Sequence, residues 1–115
     1  MSIIATTPSN QVSLDGAASQ KKMVIQGDQI KDLAKALASG TRQQILAFLK
    51  EEPLDVSTLA QKLNQTEANV SAQVQILQKA GLVTSTYRPG NHGVRKVCEP
   101  AIDVIEIVLH SQGDE

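Results

Sequence analysis

Tryptophan is absent from this 115-residue chain, and tyrosine, phenylalanine and cysteine occur once each. Single-stranded nucleic acids and RNA loops are held by bases stacked on aromatic side chains, so the chain lacks the means for that kind of recognition. Any core has to be aliphatic. One cysteine, Cys98, cannot close an internal disulfide. No apolar run approaches the length of a membrane span, and the opening residues MSIIATTPSNQ lack the basic-then-apolar layout of a secretory signal. The expectation is a soluble, cytoplasmic protein with no membrane partner. Catalysis needs convergent groups, and two histidines, one cysteine and no glycine-rich phosphate loop do not supply them, so no enzyme is expected.

At this length one small core forms comfortably and two do not. Residues 1–27 contain Pro8, Gly16 and Gly27 among many Ser, Thr, Asn and Gln, with no sustained periodicity. They read as a flexible N-terminal arm, in which Lys21 to Ile25 is either a short strand or more of the arm. The domain is then 28–110, followed by an acidic tail, 111–115. The net charge of −1 hides a segregation: residues 31–98 hold nine Lys or Arg against five acids, whereas residues 99–115 hold five acids and neither Lys nor Arg. A positive middle block suits contact with phosphate.

Helical spacing starts at Asp28, with Ile30, Leu33, Ala34 and Leu37 on one face; Ser39-Gly40-Thr41 breaks it. Ile45, Leu46, Phe48 and Leu49 mark a second helix that Pro53 ends, and Leu54 to Val56 reads as a short strand. The stretch Val56 to Gly81 carries the most information. Ser57 is an N-cap candidate for a short helix with Leu59, Ala60 and Leu63 on its buried face, and Thr66 is an N-cap candidate for the next. Helices joined so closely must cross steeply. In the later helix Val70, Val74 and Leu77 form an apolar stripe, while Glu67, Ala68, Asn69, Ser71, Ala72 and Gln75 are short or polar and face elsewhere. Gly81 is the expected left-handed residue after the helix. Leu82 begins a strand, Arg88 to Gly93 is turn chemistry, and Val94 to Cys98 is the returning strand. This order predicts a mainly α fold with a small β-wing, a winged helix-turn-helix.

Pro100 suits the first turn of a last helix. In that helix Ala101, Ile102, Val104, Ile105, Ile107, Val108 and Leu109 exceed one stripe, and Asp103, Glu106 and His110 share the polar side. The surplus apolar surface predicts burial against a second copy.

The segments LAKALASGTRQQILAFL, VSTLAQKL and TEANVSAQVQILQKAGLV, with the basic strand pair after them, resemble winged-helix transcriptional regulators of the ArsR/SmtB type. The resemblance runs from Leu37 to Cys98. It implies a homodimer built on the first and last helices, through Ile30, Leu33, Leu37, Ile102, Ile105, Val108 and Leu109. It also implies double-stranded DNA as partner, contacted from the reader helix by Thr66, Glu67, Ala68, Asn69, Ser71, Ala72 and Gln75 and from the wing by Arg88, His92, Arg95 and Lys96. The implied function is sequence-specific transcriptional regulation, as a repressor by promoter occlusion. Two departures stand out. The thiolate site of the family falls on Leu54-Asp55-Val56-Ser57, which has no cysteine, and the face of Asp103, Glu106 and His110 reads as a solvated one, so neither metal nor cofactor is expected. The reader helix has Ala72 and Gln73 where members commonly carry Arg, His or Lys, which leaves an alternative: a winged-helix protein-interaction module with little DNA affinity.

Overall fold

The computed structural model of the chain describes residues 20–110. The predicted acidic tail and most of the predicted arm lie outside the described residues. The order is β1 (Lys22–Gln26), α1 (Asp28–Leu37), α2 (Gly40–Glu51), β2 (Leu54–Asp55), α3 (Val56–Leu63), α4 (Glu67–Lys79), β3 (Val83–Gly90), β4 (Gly93–Pro100) and β5 (Val104–Val108). Strands β2, β4 and β3 form an antiparallel sheet in that order, and β1 pairs with β5 in a separate parallel sheet. This is the mainly helical, winged arrangement that the sequence predicts.

The core is aliphatic. Ile45 and Leu49 of α2, Leu59 of α3, and Val70, Val74 and Leu77 of α4 are the largest side chains with essentially no exposed surface, joined by Cys98. Burying each large aliphatic side chain contributes about 1.5–3 kcal/mol relative to leaving it in water. The helix ends follow from side chains at hand. Ser39 Oγ accepts from the Arg42 amide at 3.2 Å and Thr66 Oγ1 from the Asn69 amide at 3.1 Å. At the C-terminus of α4, Gly81 adopts φ +80°, and its amide and that of Leu82 donate back to the carbonyls of Gln78 and Leu77. The left-handed backbone favours glycine there, and a Cβ would lie 2.9 Å from Met23 Cε of β1, a terminal methyl that can shift aside.

Three expectations need correction. The cap of α3 is Asp55 rather than Ser57, because the helix starts two residues earlier and the carboxylate reaches the Thr58 amide at 2.7 Å. The turn is tighter than Arg88 to Gly93: the ladder continues to Gly90 opposite Gly93, and only Asn91 and His92 lie between. Pro89 is accommodated because β3 is an edge strand, where a missing amide need not break the ladder.

The third correction is the largest. Among the described residues no helix follows Pro100, which ends β4; Val104 to Val108 is a strand, paired in parallel register with Lys22 to Gln26. Val-Ile-Glu-Ile-Val is rich in β-branched residues, which are stiff in helices and suit strands. Its partner lies 82 residues upstream, beyond the reach of local pattern. The open choice at Lys21 to Ile25 resolves to a strand, so the domain begins before residue 28 and Ile25 belongs to the core at 4% exposure. Asp103, Glu106 and His110 accordingly share no helical face. Asp103 accepts from the Lys21 amide at 2.9 Å, and Glu106 pairs with Lys22 at 2.9 Å.

The residues of the implied dimer face take these places in the single subunit. Leu33 is buried in its own core at 4% exposure, and Ile30, Leu37, Ile102 and Ile105 pack against that core partly buried. Val108 is half-buried and Leu109 is exposed. Ile25→Ala tests whether β1 is integral to the fold: urea denaturation should show a loss of about 2–4 kcal/mol, as for other large-to-small core changes, whereas an Ile25 in a loose arm would give almost none.

Candidate nucleic-acid interface

Burial of Val70, Val74 and Leu77 turns the opposite side of α4 outward. Glu67, Ala68, Asn69, Ala72 and Gln75 are exposed there, and Ser71 is half-buried. A groove of about 430 Å³ runs between the first turns of α3 and α4 and the strand β4, lined by Asp55, Val56, Ser57, Glu67, Ala68, Ser71, Val94, Arg95 and Lys96. It brings together five of the sequence-predicted residues, namely Glu67, Ala68, Ser71, Arg95 and Lys96. Arg88 and His92 lie farther out along the hairpin, both exposed, and Ala72 and Gln75 lie farther along the outer face of α4.

Arg95 is held in place from two sides. Its stem lies over Gly90, where a Cβ would come within 2.6 Å of Arg95 Cγ. Its guanidinium donates to Asp55 Oδ2 at 3.1 Å. Asp55 therefore caps α3 with one oxygen and anchors the wing with the other. The Thr58 hydrogen bonds, and after them the Arg95 charge, hold the Asp55 carboxyl below its ordinary 3.8. Arg88 faces Arg95 directly across the hairpin, an unfavourable like-charge pair that the Asp55 carboxylate offsets.

A second network fixes the orientation of α4. Arg42, at the start of α2, donates from Nε to the Ala36 carbonyl at 2.6 Å, from Nη2 to the Lys35 carbonyl at 3.0 Å and from Nη1 to Gln73 Oε1 at 2.6 Å. Gln73 Nε2 donates to Asn69 Oδ1 at 3.5 Å, Asn69 Nδ2 donates to Gln65, and Gln65 Nε2 donates to Thr41 Oγ1 at 3.4 Å. The chain of bonds closes on α2. Asn69, a predicted reader, has its amide engaged at both ends, and Thr66 has its hydroxyl engaged as a cap. Arg42 and Gln65 had no local signal pointing to Gln73 and Thr41, which lie 31 and 24 residues away, and Asp55 had none pointing to Arg95, which lies 40 away.

A family model for a helix-turn-helix domain matches residues 37–86. The solution structure of a homodimeric winged helix-turn-helix DNA-binding domain, fragment 1–100 of Mb0332 from Mycobacterium bovis, a possible ArsR-family transcriptional regulator, is 34% identical, with a TM-score of 0.57. That match covers 64% of this chain and 65% of the fragment. A crystal structure of a possible transcriptional regulatory protein from Mycobacterium bovis, also fragment 1–100, is 34% identical over 64% of this chain and 75% of that one, with a TM-score of 0.56. The chain belongs to the ArsR family. Another structure of the family, the regulator RHA00566, is 26% identical over 64% of this chain and 76% of its own, with a TM-score of 0.54. Comparison with curated proteins gives no match. The fold and family are those of DNA-binding transcriptional regulators and not of enzymes.

Within this ArsR-family fold Cys98 is fully buried opposite Ser85, and burial pushes its thiol pKa up. It is a core residue carried in the thiol form at neutral pH.

Two substitutions test these networks. Asp55→Ala should cost about 1 kcal/mol at pH 7 through the lost cap. Because the folded carboxyl titrates below its ordinary value, its contribution is complete above pH 3.8 and fades as pH falls through the depressed value, so wild type and variant should converge in acid. Arg42→Ala leaves two carbonyls and Gln73 without their donor and should cost about 1–3 kcal/mol by thermal or urea unfolding.

Proposed function

We propose that the chain is a sequence-specific, double-stranded DNA-binding repressor that acts as a homodimer by occluding promoters. The observation that carries this reading is the pairing of a short-side-chain face on α4 with Arg95 and Lys96 across the groove. An outward helix free of bulky groups suits close entry to the major groove, and long cations on an adjacent hairpin suit phosphate or minor-groove contact. Gln75 and Ser71 are the base readers in this reading, with Gln favouring adenine. Glu67 stabilises the helix N-terminus, and Asn69 positions the helix through Gln65 and Gln73. Arg88 and His92 extend the wing contact. The homodimeric state of the Mycobacterium bovis domain supports two copies acting on paired half-sites.

One observation favours a protein-interaction module instead: α4 holds no Lys or Arg before Lys79, so guanine has no bidentate partner on the helix. Binding to a pool of randomised duplexes separates the two readings. Enrichment of a common motif supports the repressor, and uniform weak retention supports the interaction module. With the motif known, Arg95→Ala and Lys96→Ala should weaken specific and random DNA alike and lower the salt slope by about one unit each. Gln75→Ala should cost about 1–3 kcal/mol on the preferred duplex alone. The reverse pattern would make the wing the reader.

A further inference from the structure

Strand β5 has an open edge. It pairs with β1 on one side and, among the described residues, with nothing on the other. Such edges are ordinarily protected by Pro, Lys, a bulge or shortness. Here five residues, Val104-Ile105-Glu106-Ile107-Val108, carry no Pro, no Lys and a single acid. The sheet is also small for its exposure. Two strands alone are marginal, and parallel sheets normally have both faces covered. In this one Val24 is 52% exposed, Val104 37% and Ile107 50%.

The strand reads identically in both directions. We infer that two copies of this chain join edge to edge through β5, pairing antiparallel about a two-fold axis at Glu106, to make one four-stranded sheet in the order β1-β5-β5-β1. The inference rests on the homodimer of the proposed function and names its interface. The symmetry of the sequence makes the pairing self-complementary, as an isologous contact requires. Val104 then faces Val108 of the partner subunit, and Ile105 faces Ile107 of the partner subunit. Parity is preserved, so the isoleucines that continue the core side of β1 with Ile25 stay together and the valines join Val24 on the other face. The half-exposed Ile107 gains an apolar neighbour. The one unfavourable element, a glutamate facing its own mate, is balanced within each subunit by Lys22, 2.9 Å from Glu106.

A cysteine at the axis tests this register. Residues directly opposite in antiparallel strands have Cα atoms about 4.5 or 5.5 Å apart, inside the range that a disulfide spans. Glu106 is about half-exposed, so Glu106→Cys leaves the core intact. In the full chain under mild oxidation with glutathione disulfide, Glu106→Cys should convert mostly to covalent dimer. Wild type should not, because Cys98 is buried. Gln26→Cys, on the outer strand far from the axis, should stay uncrosslinked, and sedimentation of wild type should give a dimer mass. A wild-type dimer in which Glu106→Cys fails to crosslink would overturn the β5 interface while leaving the homodimer, and would mean that residues 1–19 or another surface cover that edge. Equal crosslinking at Gln26→Cys and Glu106→Cys would indicate random collision and overturn it too. A monomeric wild type would remove both readings.

Discussion

The seating of α4 on the aliphatic core is the constraint on which the remaining geometry depends. Val70, Val74 and Leu77 have no exposed surface, so rotating the helix would bring apolar groups into water and polar ones into the core. That penalty, several kcal/mol for three side chains of about 1.5–3 kcal/mol each, is what presents Ala68, Ala72 and Gln75 outward. The outer face is therefore a consequence of the inner one. Thr66 at the start and Gly81 at the end set where the helix lies along its axis, and the left-handed backbone at Gly81 also leaves the gap into which Met23 packs.

Polar side chains refine what burial establishes. Arg42 ties the end of α1 to the middle of α4, and Asp55 ties the start of α3 to the wing. Both are charged groups with several partners, a stronger arrangement than neutral pairs. Through Asp55 the wing cation is placed beside the first turns of the helix pair, so groove width and cap geometry are coupled. In an ArsR-family chain with no cation on the outer face of α4 before Lys79, the wing supplies the positive charge nearest that groove.

The β1-β5 sheet stands apart from the helix-turn-helix and lies outside the residues matched by the family model, 37–86. It joins the two ends of the described chain, since Ile25 enters the core and Ile105 packs against it. A parallel pair this small leaves apolar surface and an open backbone edge, and the two-way symmetry of β5 makes a second copy the natural cover. The segment read from the sequence as a last helix is a strand, with the same apolar residues put to a different geometry.

The helix-turn-helix frame was legible from residues 54–81 because its determinants are local: cap residues, a stripe at helical spacing and a glycine that only a left-handed turn requires. The core residues of α4 and the hairpin strands followed from the same periodicities. Local pattern failed wherever the deciding partner was distant. Val104 to Val108 satisfies a helical stripe and a strand equally when read alone, and only Lys22 to Gln26, brought alongside by the fold, decides for the strand. Ser57 was the cap candidate read from the sequence, and the three-dimensional start of α3 makes Asp55 the cap instead. Asn69 is a different case: it carried the chemistry of a base reader, but Gln65 and Gln73, each four residues away, claim its amide through local contacts that compete with that role. The sequence by itself determined which residues are buried along each short element, since that depends on spacing of 2 or 3.6 residues. Tertiary structure alone decided which distant groups meet, because hydrogen bonds and strand pairs across 24 to 82 residues have no signature in neighbouring positions.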